Sequence, residues 1–361
     1  MASLTNHADF LKATRDQRVV TKDMLLNEAT KNTYFFFSRM LTGSQKKFKG
    51  GTKLVDKIQG TTSGNFSFYS PNHEFSPTQT DTLTDVEVQW AFAQDHYVII
   101  DETAQLNSGD PYAYLDYVKS LEMDCMVDMI NGMEEALWKT PDNAVHEASS
   151  ADPQEPYSIL CFVTRDGLEP SSTNGGATND FTTIMSVDPS NDSWFQNANN
   201  TYTAATPDDP EAGLIASFDD MRLQIGFEFP DPLSKYSESD DKQKYCIVTS
   251  RDGVVFYKSR LRMGNDRMER LSDPSIMGPQ FEGIPIKYVS ELDQQGWTAN
   301  QPDYIWLNLN FLFPIFHTNR FMYEVIRDGG PKQPTSVVNF KFSWYNLFCR
   351  SRRRQGRTYA A

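Results

Sequence analysis

The chain has 361 residues, 39 % hydrophobic and 13 % aromatic, enough for about two or three domains or one large core with insertions, which excludes a mainly disordered polypeptide. A formal net charge of -14 makes the folded body a poor general nucleic-acid binder, because its field repels phosphate. No run approaches the roughly 18 apolar residues of a membrane span, and MASLTNHADFLKATRDQR lacks a signal-peptide core, so a soluble, unexported protein is expected.

In chain order, residues 1–50 read as an arm. Thr21 to Leu41 (TKDMLLNEATKNTYFFFSRML) has a Thr21 cap and apolar Leu25, Leu26, Phe36, Phe37, Met40 and Leu41, the pattern of one or two helical segments. On a lone helix Phe35 to Phe37 are exposed, so the body of the subunit or a neighbour must cover them. FSFYS (Phe66 to Ser70) and VEVQWAF (Val86 to Phe92) then alternate with period two, placing Val86, Val88, Trp90 and Phe92 on one strand face. Turn-forming Pro, Asn and Asp lie between them, which predicts a long hairpin over Gly51 to Asp101. A two-stranded ribbon is marginal alone and needs a supporting surface.

Asp110-Pro111 is a helix start and Thr140-Pro141 a stop. Between them Cys125, Met129, Met133 and Leu137 share an apolar side with Leu115, Val118 and Leu121, and Asp116, Ser120, Asp124, Asp128, Asn131 and Glu135 form a polar stripe. This predicts one helix of roughly 40 Å. Beyond it lie short strands in polar loops: Ser158 to Thr164, Lys244 to Ser250 and Phe281 to Val289, with a helix from Ser217 and a strand-to-helix passage from Ser250. Tyr304 to Phe313 and Val337 to Cys349 are aromatic strands near the end. The fold class is α+β, with no regular βαβ alternation.

No catalytic constellation, metal site or cofactor site emerges. There is no G-x-S-x-G elbow, FKGGTK (Phe48 to Lys53) lacks the order of a phosphate loop, and Gly50-Gly51 reads as a hinge. His7, His73, His96, His146 and His317 are scattered, and Cys125, Cys161, Cys246 and Cys349 read as buried free thiols. Acidic pairs such as Glu134-Glu135 and Asp219-Asp220 read as solvated faces and caps. Three basic islands remain: Arg39 to Lys57, Lys258 to Arg270, and the tail CRSRRRQGRTYAA, where Arg350, Arg352, Arg353, Arg354 and Arg357 crowd into eight residues. They contact either phosphate or carboxylates of the same or a neighbouring chain.

Taken together, GGTKLVDKI before the hairpin, FSFYS, SWFQN (Ser193 to Asn197), FEGIPIKYV, YIWLNLNFLFP and the ending FCRSRRRQGR resemble the major capsid protein of tailed double-stranded DNA bacteriophages, whose fold is shared with herpesvirus capsid floors and encapsulin shells. SWFQN departs from relatives in lacking the basic residue that often follows the aromatics. The resemblance implies an N-terminal arm (1–50), an extended loop (51–101), a peripheral domain (102–178 and 335–361) with spine helix 110–140, and an axial domain (179–334). It also implies a non-enzymatic structural protein, without cofactors, that self-assembles as pentamers and hexamers into an icosahedral shell around double-stranded DNA. Scaffold, portal and decoration proteins would be its partners, with no membrane involved, and the shell, assembled in the host cytoplasm, would be the virion capsid. Phe66, Phe68, Trp90 and Phe92 are candidates for contact between subunits or within their own, the five tail arginines for clamping carboxylates, and Lys46, Lys47, Lys49 and Lys53 for facing DNA. An encapsulin-type compartment, a tail-tube or decoration protein, and a soluble hydrolase are the alternatives.

Overall fold

The computed structural model describes residues 34–40, 46–71, 81–100, 111–147, 153–174, 176–206, 209, 212–226, 245–264, 279–295, 301–328 and 336–361. The expected Thr21 cap, Leu25, Leu26 and Leu41, and helix start Asp110, lie outside these residues. In chain order the elements are β1 (Lys46–Phe48), β2 (Lys53–Gln59), β3 (Leu83–Gln89), β4 (Ala91–Ile100), α1 (Pro111–Trp138), β5 (Ala198–Tyr202), α2 (Leu214–Ile225), β6 (Tyr245–Thr249) and α3 (Arg251–Gly264). β7 (Gln280–Phe281), β8 (Ile284–Tyr288), β9 (Tyr304–Asn308), β10 (Leu312–His317), β11 (Tyr323–Asp328), β12 (Ser336–Cys349) and β13 (Gly356–Ala360) follow.

These strands form three sheets. β12 is the spine of the first: β4 pairs along one edge, β10 and β11 share the other, and β1 adds in parallel to β10. The second has the order β5-β13-β9-β6-β8-β7, and the third is the ribbon β2-β3. Every residue of β9 is buried because that sheet is covered on both faces. Ile305, Leu307, Cys246 and Val248 enter the large core that also holds Phe316 and Leu347, while Tyr304, Trp306 and Ile247 face a second core with Phe218 of α2 and Tyr257 of α3.

α1 has 28 residues, about 42 Å at 1.5 Å per residue, and buries Cys125, Met129, Met133 and Leu137 as its four-residue spacing predicts. All four cysteines are buried free thiols. Glu134 departs from the solvated role expected of it. It is fully buried and accepts hydrogen bonds from the backbone N–H groups of Phe35 (3.0 Å) and Phe36 (2.9 Å) and from the Trp138 indole (3.0 Å). The carboxylate thus seats the helical turn Phe36–Met40 against α1, where Phe35 meets Trp138 and Phe36 meets Phe316 and Tyr345 edge-on or tilted. Burial pushes its pKa up, and the three donors pull it back.

Several expected elements take another form. FSFYS is not a strand; the first ribbon strand is β2, KLVDKIQ, whose half-buried positions Leu54, Asp56 and Ile58 are diluted by a polar residue. Ser158 to Thr164 contains a buried helical turn, Ile159–Phe162, since an unbroken apolar run without alternation suits either state. Tyr304 to Phe313 divides between β9 and β10, which lie in different sheets, and Phe281 to Val289 folds as a hairpin turning through Glu282 and Gly283 at φ 46° and 83°. The helix expected from Ser217 begins at Leu214 and runs to Ile225, with Gly226 as its C-cap. The sheets run across the expected division at residues 334 and 335. β10 and β11 belong with β4 and β12, whereas β13, placed with the peripheral part, joins β5 and β9.

Two predictions follow from the buried carboxyls. Glu134→Leu should leave three donors without an acceptor, costing roughly 2–5 kcal/mol and exposing residues 34–40 to proteolysis, as measured by unfolding and limited digestion. Glu147 accepts from Thr183 Oγ1 and the Ser186 N–H, both 3.1 Å, and burial raises its pKa to about 7. Because this folded value lies above the ordinary 4.5, its stabilising contribution is complete below that value and is lost as pH rises through about 7. Glu147→Gln should flatten that decline, on the order of 2–3 kcal/mol between pH 5 and 8 in the parent, read from unfolding curves at each pH.

Candidate subunit interface: ribbon, tip and C-terminal tail

The ribbon leaves the body through two narrow points. Gly50 and Gly51 adopt φ 125° and 95°, which favour glycine, and on the other strand Trp90 interrupts the passage from β3 to β4. The Trp90 indole donates to the Gly51 carbonyl at 2.9 Å, crosslinking the two exits. At that corner the alternation changes phase: Val86, Val88, Trp90 and also Ala91 are buried, while Phe92 is 58 % exposed. Phe92 therefore does not share the face of Val86, Val88 and Trp90, because the strand changes sheets between β3 and β4. It stands edge-on to Trp344 at 5.0 Å.

Farther out, the Glu87 N–H donates to the Met185 carbonyl at 3.0 Å, and Met185 and Ser186 hold φ 56° and 67° in a tight turn. Lys53 pairs with Glu87 across the ribbon, and Arg350 approaches Asp56 at 3.7 Å. Trp194, from SWFQN, lies against Gly60 so closely that a Cβ there would fall 2.1 Å from the indole. This motif, whose contacts the sequence left open, seats the ribbon and lines the tail: Asn197 Oδ1 accepts from Thr164 N (3.1 Å), Thr164 Oγ1 (2.9 Å) and Arg352 (3.1 Å). Beyond Gly60 residues 61–71 have no regular structure and are exposed, with Phe66 84 % and Phe68 93 % exposed, their rings edge-on at 5.3 Å. Two phenylalanines so placed gain nothing from burial within their own subunit.

The tail turns inward. Arg352 is fully buried, and its guanidinium donates to the carbonyls of Phe162 (2.9 Å), Leu168 (3.0 Å) and Phe195 (3.2 Å) and to Asn197 Oδ1, with the Phe195 ring 5.4 Å away. Burial lowers its pKa to about 10. Arg357, also buried, pairs with buried Asp303 at 2.6 Å and donates to the Val163 carbonyl at 3.3 Å, while Arg165 approaches the same carboxylate from the partly exposed side at 3.2 Å. Arg354 donates to the Gly226 carbonyl at 3.2 Å, at the negative end of α2. Gln355, between them, exchanges two hydrogen bonds with the Asn308 backbone, where β9 ends. Arg352 and Arg357 therefore lie inside the subunit, where burial bars them from a neighbouring surface; Arg353 is exposed and Arg350 half-buried.

Lys46, Lys47 and Lys49 are exposed on and after the edge strand β1, and Lys46 Nζ lies 4.5 Å from the Phe313 ring centroid. Among the described residues no cluster of His, Cys, Asp and Glu is arranged to hold a metal, and no described helix is long and apolar enough to cross a membrane. Sequence reasoning missed Glu134, Asp303 and Trp194, whose neighbours in sequence carry no sign of their partners.

Arg352→Ala should remove four hydrogen bonds and leave buried carbonyls unpaired, destabilising the subunit by roughly 3–5 kcal/mol, whereas exposed Arg353→Ala should change stability by under about 0.5 kcal/mol. Arg352→Lys should not restore the loss, because one ammonium cannot serve carbonyls spread around a planar fork. Thermal unfolding of the three variants checks this ordering.

Neither a protein-family model nor a curated protein matches the sequence. Solved structures do. The capsid of a native GTA particle superposes with a TM-score of 0.55 at 9 % identity, covering 96 % of this chain and 95 % of that one. The capsid of cyanophage A-1(L) gives 0.55 at 11 % identity over 94 % and 95 %, and a structure of Mycobacterium phage Bobi gives 0.51 at 9 % identity over 100 % and 99 %. Similarity from end to end shows that the chain has the tailed-phage capsid fold.

Proposed function

We propose that the chain is a structural major capsid protein that self-assembles as pentamers and hexamers into an icosahedral shell enclosing double-stranded DNA. The observation that carries this reading is the end-to-end likeness to the capsid of a GTA particle, the capsid of a cyanophage and a mycobacteriophage structure, over 94 % to 100 % of this chain. A second feature agrees with it: the ribbon is anchored at its base and presents Phe66 and Phe68 to solvent at its far end, the arrangement of an element whose partner is another subunit. The division of roles in this proposal is chemical. Tail arginines Arg352, Arg354 and Arg357 hold the subunit together, and the ribbon and exposed Arg353 face other copies. Lys46, Lys47 and Lys49 meet phosphate on the inner surface, with Lys53 turned toward Glu87. Assembly takes place in the host cytoplasm, with scaffold and portal proteins as partners.

Expression of the chain alone and with the products of neighbouring genes, followed by electron microscopy, tests the proposal. Closed polyhedra built of five- and six-membered rings are the expected outcome; only monomers under every condition would refute it. Phe66→Ser combined with Phe68→Ser should leave the thermal unfolding of the subunit nearly unchanged, since both rings are exposed, yet suppress particle formation. Particles forming normally from that variant would remove the ribbon tip from the assembly contact.

A further inference from the structure

The ribbon rests on a tight turn, and that turn rests on a carboxyl. Ile184 and Val187 exchange backbone hydrogen bonds of 2.8 and 3.1 Å, and between them Met185 and Ser186 adopt φ 56° and 67°. Two successive residues at positive φ make a turn that asparagine and glycine normally occupy, so a methionine and a serine keep it only while their surroundings hold it. The Glu147 carboxyl is such a support: its Oε1 accepts from Thr183 Oγ1, just before the turn, and from the Ser186 N–H within it. The Met185 carbonyl in turn accepts the Glu87 N–H of β3. The Ser186 N–H and the Met185 carbonyl belong to one planar peptide unit. A displacement of the Glu147 carboxyl therefore turns the acceptor on which the ribbon is seated.

We propose that Glu147 is a protonation-controlled latch on the ribbon: as the neutral acid it keeps the Met185–Ser186 peptide aimed at Glu87, and on ionisation it leaves its site and releases the strand. Glu147 Oε2 is buried and has no hydrogen-bond partner among the described residues, which suits an oxygen that carries a proton and leaves a charge there uncompensated. The titratable groups around it supply no compensating charge. Tyr157 and Cys161, which face the carboxyl, have their pKa values pushed up by burial and stay neutral. His146, stacked between Tyr157 and Phe181, has its pKa pushed down by burial and is neutral at pH 7 and above. Residues 183–187 contain no titratable side chain, and on the ribbon Lys53 and Glu87 pair with each other. The Glu147 value of about 7 in the closed seat lies above the ordinary 4.5 regained in the open one, so the seat is firm below about 4.5 and weakens as pH rises through about 7. The latch works within one subunit and does not depend on the proposed shell.

Hydrogen–deuterium exchange of the full chain, followed by mass spectrometry at pH 6 and 8 and corrected for the intrinsic exchange rate, tests the latch. Peptides covering Leu83–Gln89 and residues 183–187 should exchange faster than β12 at both pH values, and their opening constant should rise roughly tenfold from pH 6 to 8. In Glu147→Gln, which keeps an acceptor oxygen and cannot ionise, that rise should vanish and both peptides should stay protected at pH 8. Equal opening constants at the two pH values in the parent, or a tenfold rise that persists in Glu147→Gln, would overturn the latch. So would exchange of Leu83–Gln89 only as slowly as β12, the mark of a ribbon released by global unfolding alone. If the glutamine variant does not fold, the parent decides: the two peptides must open together, ahead of β12 and more readily at pH 8, and any other pattern sinks the proposal.

Discussion

The buried guanidinium of Arg352 is the contact on which the rest of the subunit depends. A charge in a dry core is costly unless every donor is matched, and here the match is made with backbone carbonyls of segments that have no strand or long helix to satisfy them. Residues 158–164 and 195–197 run through the interior as single helical turns and irregular chain, where orphaned carbonyls would be expensive. The tail supplies donors to Phe162, Val163, Leu168 and Phe195 and then continues as β13 into the second sheet. The first sheet, ending with β12, is thereby joined covalently and through these hydrogen bonds to the second.

That inward use of the tail determines which parts face outward. With Arg352 and Arg357 in the core, the ribbon, the open side of the first sheet and the edge strand β1 are among the described parts that stay exposed. Several small contacts fix the ribbon base: the Trp90 hydrogen bond to Gly51, the Trp194 ring over Gly60 and the backbone bond to Met185. The arm is held by a different device, in which Glu134 brings a carboxylate to two N–H groups at the start of a helical turn, the position where backbone donors have no partner of their own. The fold therefore combines a rigidly stapled body with appendages attached at a few defined points.

Much of this was legible in the sequence where one element obeyed one local rule. The spine helix was marked by apolar residues every three or four positions and prolines at its ends, and β12 by Phe340, Phe342 and Trp344 at alternate positions. Reading failed where a residue's role depends on something distant. Glu134 looked like any acid beside another acid; 98 and 99 residues separate it from the amides it binds. Phe92 fits the alternation of Val86, Val88 and Trp90 in the sequence, but a sheet change at residue 90 turns it outward.

The sequence by itself determined the α+β class, the long capped helix, the burial of the thiols and the presence of a ribbon that needs support, because periodicity, capping and turn chemistry act over a few residues. Tertiary structure alone decided that YIWLNLNFLF divides between two sheets, that SILCFVT coils instead of extending, and that the arginine-rich tail is an internal staple. An arginine's five donors suit phosphates, carboxylates and carbonyls alike, so composition cannot choose among them. Only the fold, by surrounding Arg352 with carbonyls and placing Asp303 beside Arg357, makes that choice.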